Sequence, residues 1–429
     1  MPPQSPPDEV YPPLLGHRAS TPTSSTSKPT LPPKSAPLNL KIAAAMFSFT
    51  TLGLFNSSTG VTLPLISHHY TLTDLHVSLI FVAGPLGYIA AAQLSSAMHH
   101  QFGQRGIAVL GPLLQILAAG LIGAHLRFGV VLLGFAVQGL GSGLLDGSWC
   151  AWAGTMERAN TVSGLLHGAY SAGAAVGPLI VTLLTARRRA WFEWYYVLAG
   201  ISLLSLTSLT TAFRHQSAVV YHHSRPSATS HSTKALLTHP ATWLCAAYFL
   251  ADVGVETAIS GWVVSFMQRS RHASPYLSGL TSSGFWTGMA IGRLSLGPAT
   301  DRIGVRRATI LYFACAIAIQ GVFVVVRGPV VSLVLMSVLG VVMGPLFPSG
   351  VVVLTQVLPR EMHVAGVSFV ASVGQVGGGL LPFGIGAVVE GWGIGVFRYA
   401  VLGLLVVGLG VWCVFARVGR RVSPGVGGD

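Results

Sequence analysis

Gly292-Arg293-Leu294-Ser295-Leu296-Gly297-Pro298-Ala299-Thr300-Asp301-Arg302-Ile303-Gly304-Val305-Arg306-Arg307 is the stretch whose reading decides the fold. It joins two long apolar runs, 275–298 and 308–326. Gly304 permits a tight turn. Asp301 can accept hydrogen bonds from neighbouring helix termini and from arginine side chains. Arg302, Arg306 and Arg307 mark one side of a membrane. Arginines alone would serve as a topology signal, but such a signal needs neither the glycine nor the aspartate. Together with Gly292, Arg293 and Gly297, the set suits a latch that forms in one conformation and releases in another.

Outward from this segment the apolar runs come in regular order: 42–65, 76–98, 106–125, 130–151, 161–185 and 191–213, then 240–267, 275–298, 308–326, 329–353, 363–388 and 394–416. Each is long enough to cross a hydrocarbon core of ~30 Å as a helix that satisfies its own backbone. Composition agrees. Only 9% of the 429 residues are charged and mean hydropathy is +0.64, against roughly 25% charged in soluble domains. The expected division is a disordered cytosolic tail at 1–38, a six-helix bundle at 39–213, a cytosolic linker at 214–238, a second bundle at 239–418 and a tail at 419–429.

With the N-terminus in the cytosol, sixteen Lys and Arg fall on the inner side and eight on the outer, with Arg293 inside a span. That favours cytosolic termini. The run Arg187–Arg189 is an outer exception, beside Arg127, Arg269, Arg271, Arg327 and Arg398. The net charge of +13 is thereby assigned to topology and anionic lipid rather than to nucleic acid. The four cysteines fit neither a metal spacing nor a disulfide framework. No metal or cofactor is expected.

The halves repeat. A shift of 201 residues lays glycine on glycine at Gly53/Gly254, Gly60/Gly261, Gly87/Gly288, Gly103/Gly304, Gly120/Gly321, Gly139/Gly340, Gly143/Gly344, Gly173/Gly374 and Gly177/Gly378. Chance would give about three such pairs, so whole bundles are duplicated. In the first half the loop reads His99-His100-Gln101-Phe102-Gly103-Gln104-Arg105, with His100 where Asp301 stands. The second loop is therefore expected to dominate the latch.

A charge in hydrocarbon costs at least ~2.5 kcal/mol, so those inside the spans are site candidates: Asp146, Asp252 and Glu256. Asp252 and Glu256 share a helix face, and two carboxylates so placed in low dielectric do not both ionise easily, which a proton-coupled site requires. Each has a blander reading: an ion pair with an arginine for Asp146, a place near the helix end or a local pairing for Asp252, and a structural role for the deeper Glu256. His167 and Tyr170 are candidates for solute contact, with packing as the alternative for the histidine. Gln375 is ambiguous in the same way. Asn56-Ser57-Ser58 is a formal glycosylation sequon inside the first run.

Two parallel six-helix halves with a polar linker resemble the major facilitator superfamily, and the segment 292–307 resembles that superfamily's signature cytosolic loop. More narrowly, Phe102–Gly106, Gly143–Trp149, Leu166–Tyr170, Val253–Glu256 with Gly261-Trp262, Gly284–Arg293 and Gly344–Pro348 resemble the fungal bypass-of-stop-codon-like branch, related to fucose/galactose/glucose proton symporters. The resemblance implies an all-α membrane fold of about twelve spans and a proton-coupled, monomeric carrier of a small solute. It places the acidic site positions at Asp146 and Glu256, with Trp262 in a matching stretch and Asn56 kept from the branch's first-span pair. The branch has an Asn-Asp pair where this chain has Asn56-Ser57, and commonly an aromatic where it has Asp252. Gly173–Pro178 resembles part of an exporter motif. The expectation is export of a fungal secondary metabolite, with a sugar-like proton symporter as the alternative, in the plasma membrane rather than the vacuolar one. A transporter-like receptor is a third class. Enzyme activity is not expected: none of the four lysines lies in a phosphate-binding loop, and no nucleophile elbow occurs.

Overall fold

The computed structural model describes residues 36–156, 158–224, 236–359 and 362–421. Of the expected tails and linker, residues 1–35, 225–235 and 422–429 lie outside the described residues. The chain enters its first helix at α1 (Leu38–His69), followed by α2 (Asp74–Gly123), α3 (Phe128–Gly154), α4 (Ala159–Ala186), α5 (Glu193–Phe213) and the short α6 (Ala218–Ser224). The second half comprises α7 (Pro240–Ser270), α8 (Pro275–Ser295), the short α9 (Gly297–Ile303), α10 (Val305–Val325), α11 (Pro329–Met343), α12 (Leu346–Val357), α13 (His363–Trp392) and α14 (Phe397–Arg421).

Local chemistry sets the helix starts. Thr73 Oγ1 accepts from His76 N at 3.3 Å to begin α2, and Ser274 Oγ accepts from Leu277 N at 3.2 Å to begin α8. Pro240, Pro275 and Pro329 sit at the first helical position, where their missing N–H is not needed.

Among the described residues ten helical stretches are long and apolar enough to cross a membrane. One of them, α2, runs 50 residues but breaks at Gly103 (φ 68°), so it makes two crossings. Another joins α11 and α12 into one span. The Ser- and Thr-rich α8 completes the set of twelve: it is 21 residues long and lies between α4, α7 and α11. Polar side chains are tolerated there because protein, not lipid, surrounds them.

The glycine repeat is a repeat of contacts. Gly87 of α2 abuts the Ala136 carbonyl of α3, and Gly288 of α8 abuts the Ser337 carbonyl of α11. Gly139 meets Gly84 O, and its counterpart Gly340 meets Phe285 O. Small residues let these backbones touch, which is how apolar helices gain packing where lipid competes for every methyl group. Gly103 and Gly304 (φ 86°) both take the left-handed backbone that turns the chain between helices.

Within the first half α2 packs on α3 and α5, and α1 on α4; within the second, α8 packs on α11, and α7 on α13 and α14. Between the halves α4 lies on α8, α2 on α13 and α1 on α7. The end that carries Gly103 and Gly304 is the loop face, and the other end is the opposite face.

Candidate functional site

The polar groups of the spans gather where the halves meet. On α7, Asp252 and Glu256 stand one turn apart and are 5% and 9% exposed. Arg293 of α8 reaches Glu256 Oε2 with Nη2 at 3.4 Å and donates from Nη1 to Ser171 Oγ of α4 at 2.6 Å. Ser171 in turn donates to the His167 carbonyl at 3.0 Å. One arginine thus ties the carboxylate of its own half to the other half. Arg293 belongs by sequence to the loop segment, but its side chain serves the centre of the molecule. Asp252 makes no hydrogen bond or ion pair among the described residues, and neither carboxylate oxygen is fully occluded.

Asp146 on α3 accepts from Tyr88 OH at 2.6 Å and from Cys150 Sγ at 3.4 Å. No arginine lies within ion-pair reach of it among the described residues. Cys150 continues to His167 Nε2 at 3.8 Å. The His167 ring sits 5.7 Å from Phe49 and 5.8 Å from Phe347 of the second half. Tyr170 OH accepts from Asn56 Nδ2 at 3.2 Å, and its ring stands 6.0 Å from Trp286 across the interface. Exposed Asn56 is itself held by Gln138 Nε2 at 3.0 Å, which also donates to Ser142 Oγ at 2.9 Å.

The structure therefore brings together Asn56, Asp146, His167, Tyr170, Asp252, Glu256 and Arg293. Two candidates stand apart. Trp262 is fully buried against Phe81 and donates Nε1 to Pro382 O at 2.8 Å, which locks α7 to α13. Gln375 is half-buried on α13 with no hydrogen bond among the described residues. Phe285 and Trp286, at 0% and 2% exposed, are packing residues and not an open aromatic lining.

Sequence reading missed Tyr88, Gln138, Ser142 and Ser171. Each is a neutral polar residue in an apolar run, a weak signal without a partner in view. It also missed a lock on the opposite face. Asp74 Oδ1, at the first turn of α2, pairs with Arg269 Nη1 of α7 at 2.6 Å. Next to it Leu75 N donates to Glu390 Oε2 of α13 at 3.2 Å. A carboxylate there suits the unsatisfied N–H groups and positive dipole end of α2.

At the loop face the arrangement is looser. Asp301, Arg302 and Arg307 are exposed, and their side chains make no hydrogen bond or ion pair among the described residues. Gly297 opens α9, which is pinned through Thr300 Oγ1 to Tyr312 OH at 2.8 Å. Gly292 abuts Val341 O of α11. The first-half loop is tied to the start of the linker, with Arg105 N donating to Gln216 O at 3.0 Å and Tyr221 5.1 Å from His99.

This fold, with polar groups at the seam and different fastenings at its two ends, agrees with what similarity to known proteins shows. The family profile of the Major Facilitator Superfamily matches residues 45–326 and again 244–428. Among characterised sequences, Bypass of stop codon protein 6 of Saccharomyces cerevisiae is 27% identical over 394 residues, covering 83% of this chain and 78% of that protein. The MFS-type efflux transporter phmH of Phaeosphaeria nodorum is 31% identical over 109 residues, covering 24% of this chain and 19% of that protein.

Proposed function

The chain belongs to the major facilitator superfamily, integral multi-pass membrane transporters of small solutes, and from that premise we propose that it couples solute movement to protonation of Glu256 through Arg293. The observation that carries this reading is the bridge Glu256–Arg293–Ser171, in which one cation spans the two halves. With Glu256 ionised, Arg293 is held between halves. A proton on Glu256 weakens that hold, and the halves are freed to exchange positions. Asp252, buried one turn away and with no side-chain partner among the described residues, is a second proton acceptor on the same face. Asp146 is a third, reached through Tyr88 and Cys150.

The fastenings support alternating access. The Asp74–Arg269 pair and the Leu75–Glu390 bond fasten the opposite face, while Asp301 at the loop face has no ion-pair partner among the described residues. With the loop face in the cytosol, as the Lys and Arg distribution favours, this is a state closed to the outside, in the plasma membrane and as a monomer. We take export of a small fungal metabolite as the direction, which the local likeness to an efflux transporter supports. A second reading, import of a sugar-like solute, draws on the exposed Asn56 amide backed by Gln138 and Ser142, groups suited to hydroxyls.

The test is transport in liposomes under an imposed proton gradient, with internal pH followed as hexoses and apolar metabolites are added in turn. Proton flux with one solute class, stopped by Glu256→Gln, supports coupling, and the class decides between the readings. Solute movement that ignores both the gradient and Glu256→Gln would refute coupling.

A further inference from the structure

Three arginines that count against the charge rule converge at one corner of the opposite face. Arg271 follows α7, Arg327 follows α10 and Arg398 begins α14. Arg271 donates from Nη2 to Phe323 O at 2.7 Å, and Arg398 from Nη1 to Val324 O at 2.9 Å. Consecutive carbonyls thus draw two guanidiniums to the same end of α10, three residues from Arg327. Arg271 is 7% exposed and lies between rings, 5.1 Å from the Phe266 centroid and 5.5 Å from that of Phe323. Among the described residues no carboxylate pairs with any of the three.

Capping α10 does not explain them. The same carbonyl in the first half, 201 residues earlier, is Gly123 O. It accepts from Tyr196 OH at 2.9 Å and lies 2.9 Å from His125 Nδ1. A phenol and an imidazole ring therefore serve that corner, with no guanidinium. In the shifted register Arg271, Arg327 and Arg398 fall on Tyr70, Leu126 and Val197. At these three positions the first half has no arginine, although Arg127 follows Leu126, and in the second half the three stand together at a cost in mutual repulsion. Burial first, and then the fields of Arg398 and Arg327, lower the pKa of the Arg271 guanidinium.

Donor capacity is also left over. A guanidinium carries five N–H donors, and Arg271 and Arg398 each spend one on a carbonyl. The Nε atoms of both are buried with no acceptor, and Arg327 is exposed with no partner among the described residues. A buried cation without an anion is unfavourable unless something pairs with it. Forked donors match planar or tetrahedral oxyanions. Tyr399 (53% exposed) lies 4.8 Å beneath Arg398, as interfacial aromatics do at headgroup depth.

We infer that Arg271, Arg327 and Arg398 form a binding site for a phosphate oxyanion at the opposite-face end of α7, α10 and α14, separate from the transport seam. The anion comes either from an anionic phospholipid headgroup or from a soluble phosphate. The test uses the full chain, purified in detergent and stripped of lipid. Its melting temperature is measured with inorganic phosphate, with phosphatidylserine, and with chloride at matched ionic strength. A rise with phosphatidylserine alone assigns a headgroup. A rise with inorganic phosphate that also displaces phosphatidylserine assigns a soluble ion. In either case Arg327→Gln, at an exposed side chain that holds nothing in the fold, weakens the effect about tenfold, the scale of one charged hydrogen bond. Arg398→Gln does the same, and Arg327→Lys keeps most of it. If neither probe stabilises the protein beyond chloride, or if Arg327→Gln and Arg398→Gln respond as wild type, the site does not exist and the arginines only cap α10.

Discussion

Adding one methyl group at Gly60 should open the opposite face. Gly60 lies on α1 where it meets α7. A Cβ there would run into the Ser260 carbonyl oxygen, 2.9 Å from its carbon and 3.4 Å from Gly261 Cα. The obstruction is backbone, so no side chain can swing aside. Overpacking of this kind costs ~1–3 kcal/mol, and it falls only on the conformer in which α1 and α7 touch at this point. The balance between conformers should then move by about 5–150-fold towards the one open at the opposite face. The Asp74–Arg269 pair is the more obvious target but the smaller one. Its arginine is 44% exposed and its aspartate 18%, so solvent screening leaves it ~0.2–1 kcal/mol. Opening can be read at Ser265, 3% exposed, in the small hollow lined by Leu63, Asp74, Trp262 and Arg269. A thiol placed by Ser265→Cys should react with an impermeant reagent faster when Gly60→Ala is added. Gly120→Ala, whose Cβ would meet nothing within 4 Å, should leave the rate alone. An unchanged or slower rate in Gly60→Ala, in protein that melts normally, would refute the assignment of Gly60 as a contact of the closed face.

Asp74→Asn and Arg269→Gln, singly and together, should show a coupling of ~0.2–1 kcal/mol in the same thiol assay, shrinking at high salt. Arg293→Lys keeps the charge but cannot fork between Glu256 and Ser171, and should lose most coupled transport in liposomes while the protein still inserts and melts as a folded unit. Gly304→Ala should lower the melting temperature through backbone strain alone, ~1–3 kcal/mol, because φ is 86° and no atom lies within 4 Å. Gly103→Ala should cost more, since its Cβ would also strike Ser217. Trp262→Phe should lower stability by ~0.5–1.5 kcal/mol through the lost bond to Pro382 O and leave solute selectivity unchanged, as transport assays with the solute panel would show.

How much of this is legible in the sequence depends on the scale of the cause. Span positions follow from apolar runs of ~20 residues, a requirement of the bilayer that every span meets independently. Only the merging of two crossings into α2 and the Ser/Thr content of α8 blur the count. Turn glycines were readable for the same reason: a left-handed φ at Gly103 and Gly304 is a local demand with one preferred residue. Partnerships were not. Asp146 was open to pairing with an arginine, yet it rests on Tyr88 and Cys150, and it is Glu256 that has the arginine. Which of several polar residues meet across a seam depends on helix rotation and tilt, and hydropathy carries neither.

The repeat sharpens that distinction. Under the 201-residue shift the packing glycines coincide, and so do Arg105 and Arg306 of the loops, yet the charged residues of the seam and of the opposite face do not. Asp146 falls on Phe347, Glu256 on Phe55, Arg293 on Ala92, Asp252 on Thr51, and the opposite-face pair Asp74 and Arg269 on Pro275 and His68. Duplicated contacts require duplicated small residues, because each helix pair must approach as closely in one half as in the other. A coupling site has the opposite requirement. If both halves carried the same carboxylate and arginine at the seam, each charge could be satisfied within its own half and nothing would hold one half to the other. Arg293 bridges to Ser171 because the first half offers a neutral hydroxyl and no second arginine in that position. Under the coupling proposed above, that asymmetry is what would let a proton on one carboxylate change the relation between two otherwise similar bundles.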